Sequence, residues 1–397
     1  MLRYIVVLML IMLAACDSGG TPTPSVAENV RNVATVPAPE WQDASEVIRL
    51  DTVTRLDYLG RLDAPSEPST VFAHALAADG TRLAGLNNEL LSAWDLLTGE
   101  TIFTVSRGDG NDVFYGPDKT AVYMLQSDGR LTGYDTESGR MIGDPFRVHE
   151  SYNGTRSYYA EEGWLAVGGL SGEVLVWDLL TGELASKFKA HDLQIRRLIF
   201  SADGQAIVTA SDTTEVKVWD WQAQSLVTEV ENGADVRNIA IAPDMSQFAT
   251  GGRQNTKLWS LPAGELIYTI DTGPEGVGVL AYSPDSAVLI SAGNPSDLSV
   301  WNPADGRLMA RLPGVGGDLL SYAFSVNGDI LVTAPFGGTT SLWNMRTITA
   351  ETVNRADLDL PEALIFAVSW TEDERLLLLF GASGSVHLWG ISEEATP

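Results

Sequence analysis

The chain has 397 residues, 45% of them hydrophobic and 19% charged, a globular composition that excludes a disordered chain. Its 25 Lys and Arg against 52 Asp and Glu leave a formal charge of -27; this excludes nucleic-acid binding through a basic footprint and disfavours adhesion to anionic lipid headgroups. The single cysteine, Cys16, excludes an internal disulfide, so packing must carry the stability.

In chain order, Arg3 and the unbroken apolar run Tyr4 to Leu13 come first. Ten apolar residues fall short of the ~20 needed to span a bilayer, so residues 1–15 read as a signal peptide. The sequence Leu13-Ala14-Ala15-Cys16 resembles the lipobox of bacterial lipoproteins. That resemblance implies cleavage before Cys16, acylation of its thiol, and a chain held at a cell membrane on its extracytoplasmic face by lipid alone. Residues 16–45, with Thr21-Pro22-Thr23-Pro24 and Val36-Pro37-Ala38-Pro39, bury too little apolar surface to order and read as a flexible tether. Residues 46–397 form the folded part.

The folded part is periodic. Trp94, Trp177, Trp219, Trp259, Trp301, Trp343 and Trp389 each end a short β-rich run, and Tyr134 fills the one gap. Successive spacings are 40, 43, 42, 40, 42, 42 and 46 residues, which places one supersecondary unit in each period. The fourth repeat shows the unit. Strands are predicted at 195–200, 206–210, 216–220 and 226–230, separated by Ser201-Ala202-Asp203-Gly204 and two further turns. Related turns follow the aromatic elsewhere, as in Leu97-Thr98-Gly99-Glu100 and Leu180-Thr181-Gly182-Glu183.

A four-stranded unit of this length, its third strand ending in Trp94-Asp95, Trp177-Asp178 or Trp219-Asp220, resembles the WD-repeat family. Trp259-Ser260, Trp301-Asn302, Trp343-Asn344 and Trp389-Gly390 depart from the dipeptide. The resemblance covers Ser69 to Gly390 and implies an all-β, eight-bladed propeller of four-stranded antiparallel blades. It also implies a buried chain of His, Ser or Thr, Asp and Trp, which repeat four alone has the residues to assemble, from His191, Thr209 or Ser211, Asp212 and Trp219. The other blades are expected to rely on apolar packing.

The eighth repeat has no room after Trp389 for a fourth strand, whereas residues 53–59 form a strand without a repeat of their own. The N-terminal strand is therefore expected to complete blade eight and close the ring. Residues 43–50 are read as a short helix.

Chemistry is sparse. His74, His149, His191 and His387 lie in different repeats without metal-ligand spacing, so no metal is expected. Gly108 to Asp112 reads as a plain turn, lacking the Asp order and distal Glu of a calcium loop. No nucleophile elbow, phosphate loop or paired-carboxylate motif is present. The reading is a monomeric, non-catalytic, cofactor-free scaffold for unidentified protein partners. Two alternatives remain: a quinoprotein-like propeller enzyme, against which the Trp standing ahead of its Thr-Gly turn argues, and an envelope or outer-membrane assembly factor. Loops between strand four and the next strand one, with those between strands two and three, surround one mouth of a propeller's channel. Candidate binding residues there are Asp109, Asn111, Tyr152, Arg156, Asp192, Arg196, Asp235, Arg237 and Asp318, with the connection Asn354 to Glu362 beside them.

Overall fold

The computed structural model describes residues 44–63, 70–77, 79–273, 276–293, 297–315, 319–349, 352–360 and 364–392. Cys16, the signal peptide and nearly all of the tether lie outside them, as does Asp318.

The described strands assemble into eight antiparallel sheets. Blade four is typical: Ile195–Phe200, Ala206–Ser211, Glu215–Asp220 and Ser225–Glu231 pair in sequence order. Burial differs systematically across a blade. Second strands such as Ile330–Pro335 and Leu377–Gly381 are buried at every position, whereas the outer strand Met141–Arg147 is exposed at nearly all of its own. A middle strand is covered on both faces by neighbouring blades and so reads as a continuous apolar run. Simple alternation is confined to strands with one wet face.

Eight hydrophobic clusters correspond one to one with the eight seams between blades. The cluster that joins blade eight to blade one contains Leu376, Leu378, Phe380, Val386 and Leu388 on one side and Val71, Leu83, Trp94 and Leu96 on the other. The ring is therefore closed by apolar burial, with Thr70 Oγ1 donating to Ala382 O at 3.0 Å beside it.

Blade eight is completed from the N-terminus, but by a strand that starts four residues and ends three residues further along the chain than expected. The strand is Asp57–Leu62, registered from Asp57 opposite Gly390 to Leu62 opposite Val386. Val53–Arg55 is a single 3-10 turn. The predicted helix is likewise replaced: Ala44–Glu46 is a short strand against Ile391 and Ser392. Gly390 is the last residue that Asp57–Leu62 covers, so the free edge beyond it is taken by this second segment. Thr52 Oγ1 accepts Arg49 N–H at 2.8 Å and Arg55 pairs with Glu46 at 2.9 Å, which turns the chain between the two pairings. Another correction concerns the connection from Asn354: Arg355–Asp357 is the outer strand of blade seven, paired with Ser341–Asn344.

Turn chemistry explains why the third strands tolerate departures from Trp-Asp. Asp95 Oδ1 accepts the N–H groups of Leu97 and Thr98 at 2.7 and 2.9 Å. Asn302 Oδ1 accepts Ala304 N–H at 2.9 Å, Asn344 Oδ1 accepts Arg346 N–H at 3.1 Å, and Ser260 Oγ accepts Glu265 N–H at 3.0 Å. A short side chain with an acceptor oxygen serves the turn in each case. The first turn repeats a different device. Ser201, Ser283, Ser325 and Thr371 each donate to an Asp or Asn two residues on and accept the N–H five residues on.

Candidate functional site at the entrance face

Antiparallel order places the loops that enter each first strand, and those between second and third strands, on one face of the ring. The described candidate residues lie on this face but are spread over the loops and first strands of blades two to five. Asp109, Asn111 and Asp192 are exposed; Asp109 accepts Ser127 Oγ at 3.5 Å. Asp235 pairs with Arg253 at 3.5 Å, both well exposed. Tyr152 is half-buried with its Cβ against Gly129, and burial pushes its phenol up to about 12.

Several side chains prove to be joints between blades. Arg156 Nε donates to Asp112 of blade two, so this exposed candidate is also tied across a seam. With Asp109 and Asp112 both engaged, the Gly108–Asp112 turn is held by protein contacts. Asn153 Nδ2 and Thr155 Oγ1 donate to Ile195 O at 2.7 and 3.1 Å, Arg197 Nε to Arg237 O at 2.5 Å, and Asn238 Nδ2 to Gly278 O at 3.0 Å. These bonds stitch first strand to first strand, so the channel wall is a structural joint over this arc. Arg237 contributes its carbonyl to it.

The buried chain of blade four is only partly as expected. Trp219 Nε1 donates to Thr209 Oγ1 at 3.1 Å, and His191 Nε2 lies 2.9 Å from the same oxygen. Asp212 is not a member. Its carboxylate points outward and accepts Arg196 Nε and Gln194 Nε2, leaving His191 Nδ1 buried with no hydrogen-bond partner among the described residues. Arg196 is thereby tied to its own blade while staying exposed.

The chain is also not unique to blade four. Trp259 Nε1 donates to Thr250 Oγ1 at 2.9 Å, and Thr250 Oγ1 donates to Asn232 Oδ1 at 2.8 Å. Trp301 donates to Ser291 and Trp343 to Thr333, each at 2.8 Å. The hydroxyl stands two residues beyond the one paired with the tryptophan. Gly85, Val167 and Leu379 occupy that place in blades one, three and eight. Trp177 there donates to Val148 O at 2.8 Å, while Trp94 and Trp389 have no partner for their indole N–H among the described residues. This spacing was available in the sequence. It is missed by a search for His, because blade five uses Asn.

Burial, and then the charge of Lys217, hold the His191 imidazole down to about 4. A folded-state value below the unfolded one, about 6.5, means the neutral ring is favoured by folding. Its contribution is full above pH 6.5 and is lost as pH falls from 6.5 towards 4, reaching about 3 kcal/mol. Urea unfolding at pH 7 and pH 4.5 should show this decline in the wild type and a smaller one in His191→Asn, which carries the side chain used by blade five. Equal declines in both proteins would disprove the assignment.

The face also carries exposed apolar side chains that charge-based reading passes over. Leu170, between second and third strands of blade three, is 57% exposed, and Leu193, in the loop entering blade four, is 49% exposed. The two loops meet at Gly172, where a Cβ would collide with the carbonyl oxygens of His191 and Leu193. His191 N and Ala190 N both donate to Gly172 O, at 3.1 and 3.0 Å. Asp192 and Glu173 stand alongside. Elsewhere on this face Phe72 is exposed with the Arg107 guanidinium 4.9 Å above its ring, and Phe336 is exposed. Among the described residues no three His, Asp or Glu side chains are grouped to share a metal ion.

Comparison with known proteins leads to the same architecture. Residues 83–263, from blade one to the third-strand turn of blade five, match the family model of the Nucleolar protein 10-like N-terminal domain, a β-propeller. Pre-mRNA-processing factor 19 of Oryza sativa subsp. japonica is 24% identical over 205 residues, covering 50% of this chain and 39% of that protein. Cell division cycle 20.1, cofactor of APC complex, of Arabidopsis thaliana is 22% identical over 302 residues, covering 72% of this chain and 66% of the relative. Three such relatives are spanned over 36% to 47% of their own length. Among solved structures, the computationally designed Ika8 protein superposes with a TM-score of 0.67 at 19% identity, over 83% of this chain and 99% of the design. That likeness is one of fold.

Proposed function

We propose that this WD-repeat-type β-propeller is a non-catalytic scaffold that binds a protein partner through its entrance face, and that lipid on Cys16 holds it at the outer side of a cell membrane. The observation that carries the binding half is the Leu170–Leu193 pair: two exposed apolar side chains on loops fastened to each other, with charges around them. Exposed apolar surface with a polar rim marks a contact site more often than scattered hydrophobes do. A relative described as a cofactor of a complex is in keeping with it. The membrane half rests on the apolar run and Leu13-Ala14-Ala15-Cys16.

Both halves are tested in the cell of origin. A photo-crosslinking residue at Leu193 should capture a discrete protein, and one at Leu97, exposed on the opposite face, should not. Equal capture from both positions, or none from Leu193, contradicts the entrance-face reading. Cys16→Ser should abolish metabolic labelling with a fatty acid and release the propeller from the membrane fraction. A membrane-bound Cys16→Ser protein would remove the lipid anchor from the proposal.

A further inference from the structure

Blade six differs from blades four and five around its tryptophan in the residue that faces the bonded hydroxyl and in lacking the one incoming side chain, His191 or Asn232, that reaches that hydroxyl. In blades four and five the residue paired across from the bonded threonine is a lysine: Thr209 faces Lys217, and Thr250 faces Lys257. The ammonium groups are held inside. Lys217 Nζ lies 3.4 Å from Glu215 and 3.7 Å from Glu229, and Lys257 Nζ donates to Asn232 O at 2.5 Å. In blade six Ser291 faces Ser299. The incoming loop is equally reduced. Glu231, Asn232 and Gly233 of the loop into blade five correspond to Asp271, Thr272 and Gly273, since Gly233 N–H bonds Glu231 at 3.1 Å and Gly273 N–H bonds Asp271 at 2.9 Å. Thr272 thus stands in the place of Asn232, and its shorter side chain ends in a buried hydroxyl without a hydrogen-bond partner among the described residues. Gly273 corresponds to His191 of blade four, as Gly233 does in blade five, and a Cβ built on it meets nothing within 4 Å.

These reductions open a cavity of about 370 Å³, lined by Thr272, Ser291, Ser299 and Trp301 with Asp271, Asp297 and Arg311. Its volume is that of a small-ligand pocket, for which about 300 Å³ is the lower bound. The charges it retains are informative. Asp297 stands two residues before Ser299 as Glu215 stands before Lys217, so the carboxylate remains while its lysine is gone. Arg311 pairs opposite Ser299 where Glu229 pairs opposite Lys217, so one acidic group has become a cation. Among the described residues neither Asp297 nor Arg311 has an ion-pair partner.

We propose that this cavity is a binding site for a small ammonium–carboxylate zwitterion of free amino-acid size, its ammonium group at Asp297 and its carboxylate at Arg311. The ammonium group replaces what Lys217 and Lys257 supply in the neighbouring blades, and a carboxamide side chain supplies to Thr272 and Ser291 what Asn232 supplies to Thr250. The indole of Trp301 forms the apolar wall. The site is independent of the protein-binding reading, because its lining residues lie in blades five and six, away from Leu170 and Leu193.

Titration calorimetry on the whole chain with L-asparagine and L-glutamine tests it. The expected result is saturable one-to-one binding, weakened by about tenfold or more when the amine is acetylated or the carboxylate is amidated. Ser299→Lys, which restores the lysine of blades four and five, should abolish binding and raise the thermal midpoint without ligand. Arg311→Gln, a change on an outer strand, should weaken the amino acids to the level of their α-amides. Absence of saturable heat up to about 10 mM of either amino acid, equal binding of n-butylammonium, or undiminished binding by a folded Ser299→Lys protein would each overturn the proposal.

Discussion

Alanine at Leu59 and Leu62 together is expected to lower the stability of the ring by about 4 kcal/mol or more, since each buried Leu→Ala change costs roughly 2–5 kcal/mol. Leu59 is 6% and Leu62 2% exposed, and both belong to the cluster that joins blade eight to blade one. The loss is larger in consequence than at another seam. Asp57–Leu62 pairs with the third strand of blade eight, so loosening it uncovers the row of unpaired backbone groups on Val386–Gly390, an edge open to other chains. Chemical denaturation should show an earlier transition, and sizing at increasing concentration should show self-association absent from the wild type. A double variant with an unchanged midpoint that stays monomeric would show that the ring does not depend on this strand.

Thr250→Val is expected to cost about 3 kcal/mol, although valine has nearly the shape of threonine. Thr250 is 1% exposed. Its hydroxyl accepts from the indole of Trp259 and donates to Asn232, so removing one oxygen strands two buried polar groups, each worth roughly 1–3 kcal/mol when left unpaired. Asn232 in turn donates to Ala234 O at 3.0 Å and its carbonyl accepts Lys257, which extends the damage into the loop entering blade five. Ser291→Ala in blade six, where the chain stops after one link, should cost less. Combining Thr250→Val with Asn232→Leu should cost less than the sum of the two single changes, because the second removes a group the first has orphaned. Strict additivity in denaturant unfolding would refute the linked chain.

What could be read from the residues, and what could not, follows from how far each interaction reaches along the chain. The third-strand aromatics repeat because every blade presents the same two faces to its neighbours, so period, blade number and class of fold are local properties repeated eight times. Closure by the N-terminus followed from counting strands, but its start at Asp57 did not. The residues 53–59 alternate acceptably for a strand, and only the presence of Glu46 and Thr52 beside Arg55 and Arg49 bends that segment into a turn. His191 was recognisable and Asn232 was not, because either can reach the hydroxyl once the loop is in place. In sequence Arg156 reads as a surface binding residue and Asp212 as a member of the buried chain, yet each meets a partner in space that spacing alone does not single out: Asp112 across a seam for one, Arg196 and Gln194 for the other.

By itself the sequence determined that this chain folds as an eightfold repeat of four-stranded units, because periodic apolar residues and turn formers act over a few neighbours. Tertiary structure alone decided which polar residues are joints, which apolar ones remain in solvent, and where the small residues Thr272, Gly273 and Ser299 combine into a cavity. Those outcomes depend on atoms brought together from separate loops and strands, whose distances no local pattern encodes.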